Sequence, residues 1–295
     1  MECAACGATA LQPHRSVAGE IGAQGLVPTI DRYGAALGDI ARCERCGHMQ
    51  VDPMPAPETL AEAYARAASD AYIAEEPGQR ATARRALAGI ERYTNGPGRL
   101  LDIGCWVGFL LAEARDRGWR ATGIEPSAFA STYARERLRL EVLTADLRSA
   151  PLDGRVFDAV AMADVIEHLL APQEELGTVR ELLAPGGLVW LAIPDAGSPV
   201  ARVLGPRWWS ILPTHVQYFT RDSIAVLLER CGFEVLDVAT APKAFTVRYY
   251  LERIAGYSRP LSRLLTRAAD AARVADRIWA PDFRDRMSVI ARRAG

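Results

Sequence analysis

The 295-residue sequence is short of the features that tie a chain to a membrane or to nucleic acid. No apolar run approaches the roughly 18 residues that a spanning helix needs. Residues 1–10, MECAACGATA, lack a basic region followed by an apolar core, so no secretory signal is expected. The formal net charge is −1, and no global field draws the chain to a polyanion or an anionic bilayer. The expected location is the cytoplasm, where cysteines stay reduced. A hydrophobic fraction of 49% and a charged fraction of 24% are those of an ordinary soluble protein. The length allows one full core with a smaller module, or two domains.

Residues 100–114, LLDIGCWVGFLLAEA, organise the rest. An apolar run breaks at glycines and resumes with helical spacing, which predicts a strand, a tight loop and a helix running toward Gly118. In an open α/β sheet, ligands bind outside the carboxyl ends of strands, where glycine lets the backbone approach them. The loop GCWVG has neither the G-x-G-x-x-G spacing of a dinucleotide site nor the Lys-Ser/Thr pair of a P-loop, so a phosphate ligand is disfavoured. What remains is Asp102, Gly104 and Gly108, with Glu125 in the next apolar stretch, ATGIEPS, where a carboxylate could accept both hydroxyls of a ribose.

This pattern resembles the class I S-adenosylmethionine-dependent methyltransferases. The resemblance implies cofactor contacts from Asp102, Gly104, Cys105, Trp106 and Gly108 on the first loop. It adds Glu125 and Pro126 after the second strand, Asp146 and Leu147 after the third, and Asp164 after the fourth. One departure is Trp106, where the family usually has glycine. A bulky residue is expected to avoid φ > 0, leaving a loop that is ordinary or reshaped. The indole then either covers the methionine part of the cofactor or packs in the core.

Cys3 and Cys6 form one CxxC, Cys43 and Cys46 another. Four thiolates from two tight turns suit tetrahedral zinc in a structural role, with His14 and His48 as less favoured ligands. The spacer, residues 7–42, is longer than a common ribbon spacing, but loop closure grows only slowly with length. Cys105 and Cys231 stand alone and read as buried thiols. The organisation expected is a zinc-ribbon module (1–55), a helical linker or cap (56–98) and a cofactor-binding domain (99–295). The proline-rich start of DPMPAPETLAEAY reads as a hinge between the first two. A zinc ribbon running into a proline-rich turn and a Tyr-containing helix resembles a methyltransferase subgroup found with glycan and secondary-metabolite pathways. Tyr64 and Tyr72 on that helical stretch either reach over the cofactor pocket or pack the helix onto the core.

Strands and helices then alternate, which predicts a Rossmann-like, mostly parallel sheet of seven strands. A helical insertion over about residues 243–280 precedes the last strand. The fourth strand opens into DVIEHLLAP, similar to the family's motif at this point, and the resemblance places His168 close to methyl transfer. Asp164 and Glu167 also have the spacing of a helix cap. Further on, GPRWWSILPTHVQYFT is rich in aromatics and suits a pocket wall. His215 is the first choice for a base or substrate anchor, with Arg207, Trp208 and Trp209 as weaker contacts. The insertion carries seven arginines against three acids between Arg248 and Arg277. That is a solvated face, or a lid or dock for an anionic substrate or the membrane surface bearing one.

Two functions follow. The first is transfer of a methyl group from S-adenosylmethionine to a small-molecule or sugar/glycan-type acceptor, with zinc structural. The second is a zinc-ribbon binding protein with a non-catalytic methyltransferase-like domain. No nucleic-acid partner is expected. A basic stripe would be needed, and the first 50 residues carry Arg15, Arg32, Arg42 and Arg45 against Glu2, Glu20, Asp31, Asp39 and Glu44.

Overall fold

The computed structural model describes residues 2–17, 19, 33–65, 67, 69–152 and 154–295. Glu20, Asp31 and Arg32 of the charge balance above lie outside the described residues. The chain begins with three antiparallel strands, β1 (Leu11–Arg15), β2 (Asp39–Cys43) and β3 (Met49–Asp52). Helices α1 (Pro57–Ala65), α2 (Asp70–Ala74) and α3 (Glu76–Glu91) follow. The first β/α units are β4 (Arg99–Ile103), α4 (Phe109–Asp116), β5 (Arg120–Ile124), α5 (Ala128–Leu138), β6 (Glu141–Leu143) and β7 (Phe157–Ala163). Next come α6 (Pro172–Leu182), β8 (Leu183–Pro194), α7 (Pro199–Leu204), β9 (Gln217–Tyr218), α8 (Arg221–Arg230) and β10 (Phe233–Thr240). The chain closes with β11 (Phe245–Thr246), α9 (Val247–Arg253), α10 (Arg259–Ala271), β12 (Ile278–Trp279) and β13 (Arg286–Arg293).

The central sheet has seven strands in the order β10-β13-β8-β7-β4-β5-β6. Pairing is parallel from β8 to β6, and β13 is antiparallel to both its neighbours. The inner strands are continuous apolar runs because helices cover both faces: in β8, Leu188 to Pro194 are buried without a break. Helix starts follow local chemistry. The Ser127 side chain accepts from Ala130 N at the head of α5, and Thr220 and Ser223 form a reciprocal capping box at the head of α8.

Two expectations need correction. The proline-rich stretch is not a hinge to a free module: β9, from the body of the domain, pairs with β3 and extends the N-terminal sheet. Cys3, Ala5 and Cys43 share one hydrophobic core with Phe219, Ile224 and Leu227, so separating the module would expose that apolar surface to water. The insertion is helical as expected, but it is also pinned by a two-stranded ribbon, β11 with β12. Among the described residues no helix is long and apolar enough to cross a membrane.

Candidate active site

The chain leaves β4 for β5 on one side, while β7 pairs with β4 on the other. In open α/β folds ligands bind at such a switch point, outside the carboxyl ends of the strands. Asp102 lies at the end of β4, 3% exposed. Glu125, just past β5, is 5% exposed. Its Oε2 accepts from Trp106 N at 2.8 Å and its Oε1 from Ser127 N at 2.8 Å. Burial, then the negative charge of Glu125, push the Asp102 carboxyl up to about 8. Burial also raises Glu125, against the two N–H donors.

The connecting loop is tight. Gly104 N and Cys105 N both donate to Ile124 O, at 2.9 and 3.1 Å, and Gly108 N donates to Cys105 O at 2.9 Å. Gly104 and Gly108 have φ of 68° and 85°, and a Cβ on either would meet Val165 or Leu140 at under 3 Å. Trp106 also holds φ 49°, so the expectation that it avoids the left-handed region is overturned. Its N–H bond to Glu125 and the donor pair on Ile124 over-determine the backbone there, against a cost of about 1–3 kcal/mol. The indole is partly buried, edge-on to Tyr72 at 6.1 Å and tilted against Phe129 at 6.4 Å. Its Nε1 is buried without a partner among the described residues.

Pro126 is half-buried and Leu147 buried. Asp146 is exposed, and its Oδ1 accepts from Ser149 N and Oγ at 2.8 and 2.7 Å in a local turn. Asp164, after β7, has φ 55° and does not cap a helix. Its carboxylate pairs with Lys243 of the insertion and Arg286 at the start of β13. Although burial opposes ionisation, the two cations hold it well below the usual carboxylate range. Neither partner was legible locally, since each lies 79 or 122 residues away.

Beside this pair, the 3₁₀ turn Ile166–His168 and the stretch leading to β9 bring two histidines together. The His168 and His215 rings are 4.7 Å apart and nearly perpendicular. Each Nδ1 faces a backbone carbonyl at 2.8 Å, Thr214 O for His168 and Ser210 O for His215. A carbonyl only accepts, so Nδ1 carries the proton and Nε2 keeps a free lone pair. Burial pushes both pKa values down, and for His215 the neighbouring His168 adds to the effect. Both shifts favour the neutral imidazole. Tyr64 packs against the core that holds Leu60 and Val216 and also stands edge-on to His168 at 5.4 Å, and Tyr72 is edge-on to Trp106.

The capping reading concealed Glu167. It is 1% exposed, and both carboxyl oxygens lack a partner among the described residues. Burial, then the charge of Asp164, push it up to about 8. The signal available was the Glu-His pair itself, just after an apolar strand. Trp208 is fully buried, whereas Trp209 bonds Asp285 at 2.8 Å and touches Phe283.

Away from this site, the four N-terminal cysteines converge, with Cys3 and Cys46 Sγ 3.6 Å apart and Cys6 and Cys43 likewise. In each knuckle the following glycine, at φ 71° or 72°, donates its N–H to the first cysteine's carbonyl. His48 is buried and bonded to Gln217 at 2.8 Å, and His14 is exposed on β1, so neither joins the cluster. Cys105 is buried, but Cys231 is only half-buried.

A family model described as a methyltransferase domain matches residues 74–238, more than half of the chain. The chain belongs to this methyltransferase family. The four clustered cysteines lie ahead of the matched region. The ubiquinone biosynthesis O-methyltransferase of Cereibacter sphaeroides is 30% identical over 151 residues, which are 47% of this chain and 61% of that protein. The C-methyltransferase NovU of Streptomyces niveus is 27% identical over 212 residues, 69% of this chain and 48% of NovU. The chain thus spans only about half to three fifths of these relatives' length. Among solved structures, the 1,6-didemethyltoxoflavin-N1-methyltransferase of Burkholderia thailandensis carries 1,6-didemethyltoxoflavin and S-adenosylhomocysteine. It is similar at TM-score 0.52 and 19% identity, over 87% of this chain and 96% of that one. The N-methyltransferase NodS of Bradyrhizobium japonicum, with S-adenosylhomocysteine, is similar at TM-score 0.51 and 14% identity, over 80% and 97%. These likenesses show the methyltransferase fold.

Proposed function

We propose that the chain is an S-adenosylmethionine-dependent methyltransferase acting on a protonated oxygen or carbon of a small molecule, sugar-type acceptors included. The observation that carries this reading is the meeting, at one switch point, of two buried carboxyl groups with a pair of neutral imidazoles. Relatives named as O- and C-methyltransferases support the acceptor atoms.

The donor set fits the cofactor. The buried Asp102 carboxyl suits an ammonium group. After accepting from Trp106 and Ser127, each Glu125 oxygen retains a lone pair for a ribose hydroxyl. Gly104 and Gly108 keep the loop clear of side chains, and the indole of Trp106 walls the same space. When bound, S-adenosylmethionine supplies a methyl group already activated on a sulfonium. The protein's own work is then to hold and orient, for which positioning can supply much of the acceleration. His215 Nε2, with His168 beside it, takes the acceptor's proton, and the carbonyls of Ser210 and Thr214 hold the rings in the required tautomer. The exposed Arg259, Arg263, Arg267, Arg273 and Arg277 of the insertion suit an anionic part of the acceptor.

The cysteine cluster fits a structural zinc. Tetrahedral bonds of about 2.3 Å put sulfurs about 3.8 Å apart, close to the 3.6 Å seen, whereas a disulfide needs about 2.05 Å. Four thiolates close the shell, so no step of transfer is assigned there.

The test is release of S-adenosylhomocysteine from S-adenosylmethionine over a panel of catechols, phenols and nucleotide-linked sugars. His215→Asn is expected to keep cofactor affinity and lose on the order of 10²–10⁴-fold in turnover. A variant as fast as the parent would remove His215 as the base. No release over the whole panel would contradict the assignment of acceptor class.

A further inference from the structure

Glu167, His168 and His215 hold more than the proton transfer asks of them. One potential ligand atom from each lies within 4.8 Å of the others. The two imidazole Nδ1–H groups are anchored on the carbonyls of Thr214 and Ser210, both at 2.8 Å. Such anchoring of Nδ1 is the outer-shell support that fixes the ring and leaves the Nε2 lone pair available to a metal. Glu167 presents two buried oxygens with no partner among the described residues. A buried polar group left in that state costs free energy, and a cation would supply the missing interaction. The nearby cations Lys243 and Arg286 each pair with Asp164, and neither donates a hydrogen bond to Glu167, although Arg286 Nε is buried without a partner among the described residues.

We propose that these three residues form a second metal site, for a borderline divalent ion such as Zn²⁺, Co²⁺ or Ni²⁺. Two imidazoles and one carboxylate favour that class over Mg²⁺ or Ca²⁺, which take oxygen ligands. Metal–nitrogen and metal–oxygen distances near 2.1 Å require the three groups to draw in only modestly. Unlike the closed four-sulfur cluster, three protein ligands leave coordination positions open. The site shares no residue with the cysteines.

A consequence rests on the methyltransferase reading above. A metal on the Nε2 atoms occupies the lone pairs that accept the substrate proton, so the ion inhibits turnover. Binding itself does not depend on that reading.

The experiment is titration of the full chain, carrying one equivalent of zinc on its cysteines, with Co²⁺ followed by visible absorption and calorimetry. The expected result is a second equivalent that gives weak ligand-field bands without the sulfur-to-cobalt charge-transfer band of a thiolate site. Glu167→Gln and His168→Ala should each weaken it by more than about tenfold, since losing even an outer-shell partner costs roughly 10–100-fold. Near-ultraviolet circular dichroism of the Glu167→Gln and His168→Ala proteins checks that they fold. Saturation at one metal per chain would overturn the proposal, as would a second equivalent indifferent to both folded variants. If Co²⁺ binds as described while S-adenosylmethionine does not, the site stands and only the inhibition falls.

Discussion

Cys43→Ser is expected to strip zinc from the protein and to destabilise the methyltransferase sheet along with the N-terminal strands. Zinc binding to four thiolates is worth roughly 10–16 kcal/mol in small zinc domains, most of it folding free energy. Losing one thiolate should cost on the order of 5 kcal/mol, against ~5–15 kcal/mol for a whole domain. The loss does not stay local. Cys43 is fully buried in the core that contains Phe219 and Leu227, and Arg230 Nη1 of α8 donates to Ala5 O at 2.7 Å. Val51 N donates to Val216 O, and Val216 N in turn to Glu167 O, both at 2.9 Å. The four-cysteine sheet therefore braces the backbone between His215 and β9. Metal content by elemental analysis and the thermal midpoint should fall together. Unchanged zinc with an unchanged midpoint would remove the cysteines from a metal site.

The second large effect is a pH dependence of cofactor binding. In the free protein, burial and Glu125 hold the Asp102 carboxyl at about 8, so at pH 7 it is mostly protonated. A cationic ligand favours the carboxylate, so binding must release that proton. Affinity for S-adenosylmethionine should rise with pH up to about pH 8, by as much as about tenfold per unit, and flatten above it. Calorimetry at pH 7 in buffers of different ionisation enthalpy should register the released proton. Asp102→Asn should bind at least about tenfold more weakly at pH 8 and lose the slope. Stability carries the opposite sign. The unfolded chain gives up this proton near pH 3.9, while the folded chain keeps it to about pH 8. Without ligand, Asp102 therefore withdraws stability as pH rises from about 4 to 8, and Asp102→Asn should abolish that decline. A wild-type affinity flat between pH 6 and 8 would contradict this account.

The parts of this molecule that were legible in the sequence are those whose cause is local. Glycine at positive φ, a serine or threonine heading a helix, and an apolar run bounded by turns marked β4 through β8, α5 and α8, and the family resemblance supplied the count of seven strands but not their order. The two CxxC-Gly knuckles are local too, which is why the cysteine cluster could be read across a 36-residue spacer, residues 7–42. What escaped was set by distant contacts. The pairing of β3 with β9, the clasp of Asp164 by Lys243 and Arg286, and the burial of Glu167 beside His215 join segments far apart in the chain. Trp106 shows the limit differently: its backbone follows the loop's hydrogen bonds rather than the preference of its side chain.

The central claim is that the site at Asp102 and Glu125 takes S-adenosylmethionine. The most direct measurement is calorimetric titration of the purified protein with S-adenosylmethionine and with S-adenosylhomocysteine, beside the same titration with NAD. The account predicts micromolar binding of the first two and none of the third, with both affinities reduced in Glu125→Ala. Heat from NAD alone, or from none of the three, would contradict it and favour a binding protein that keeps the methyltransferase fold without its chemistry.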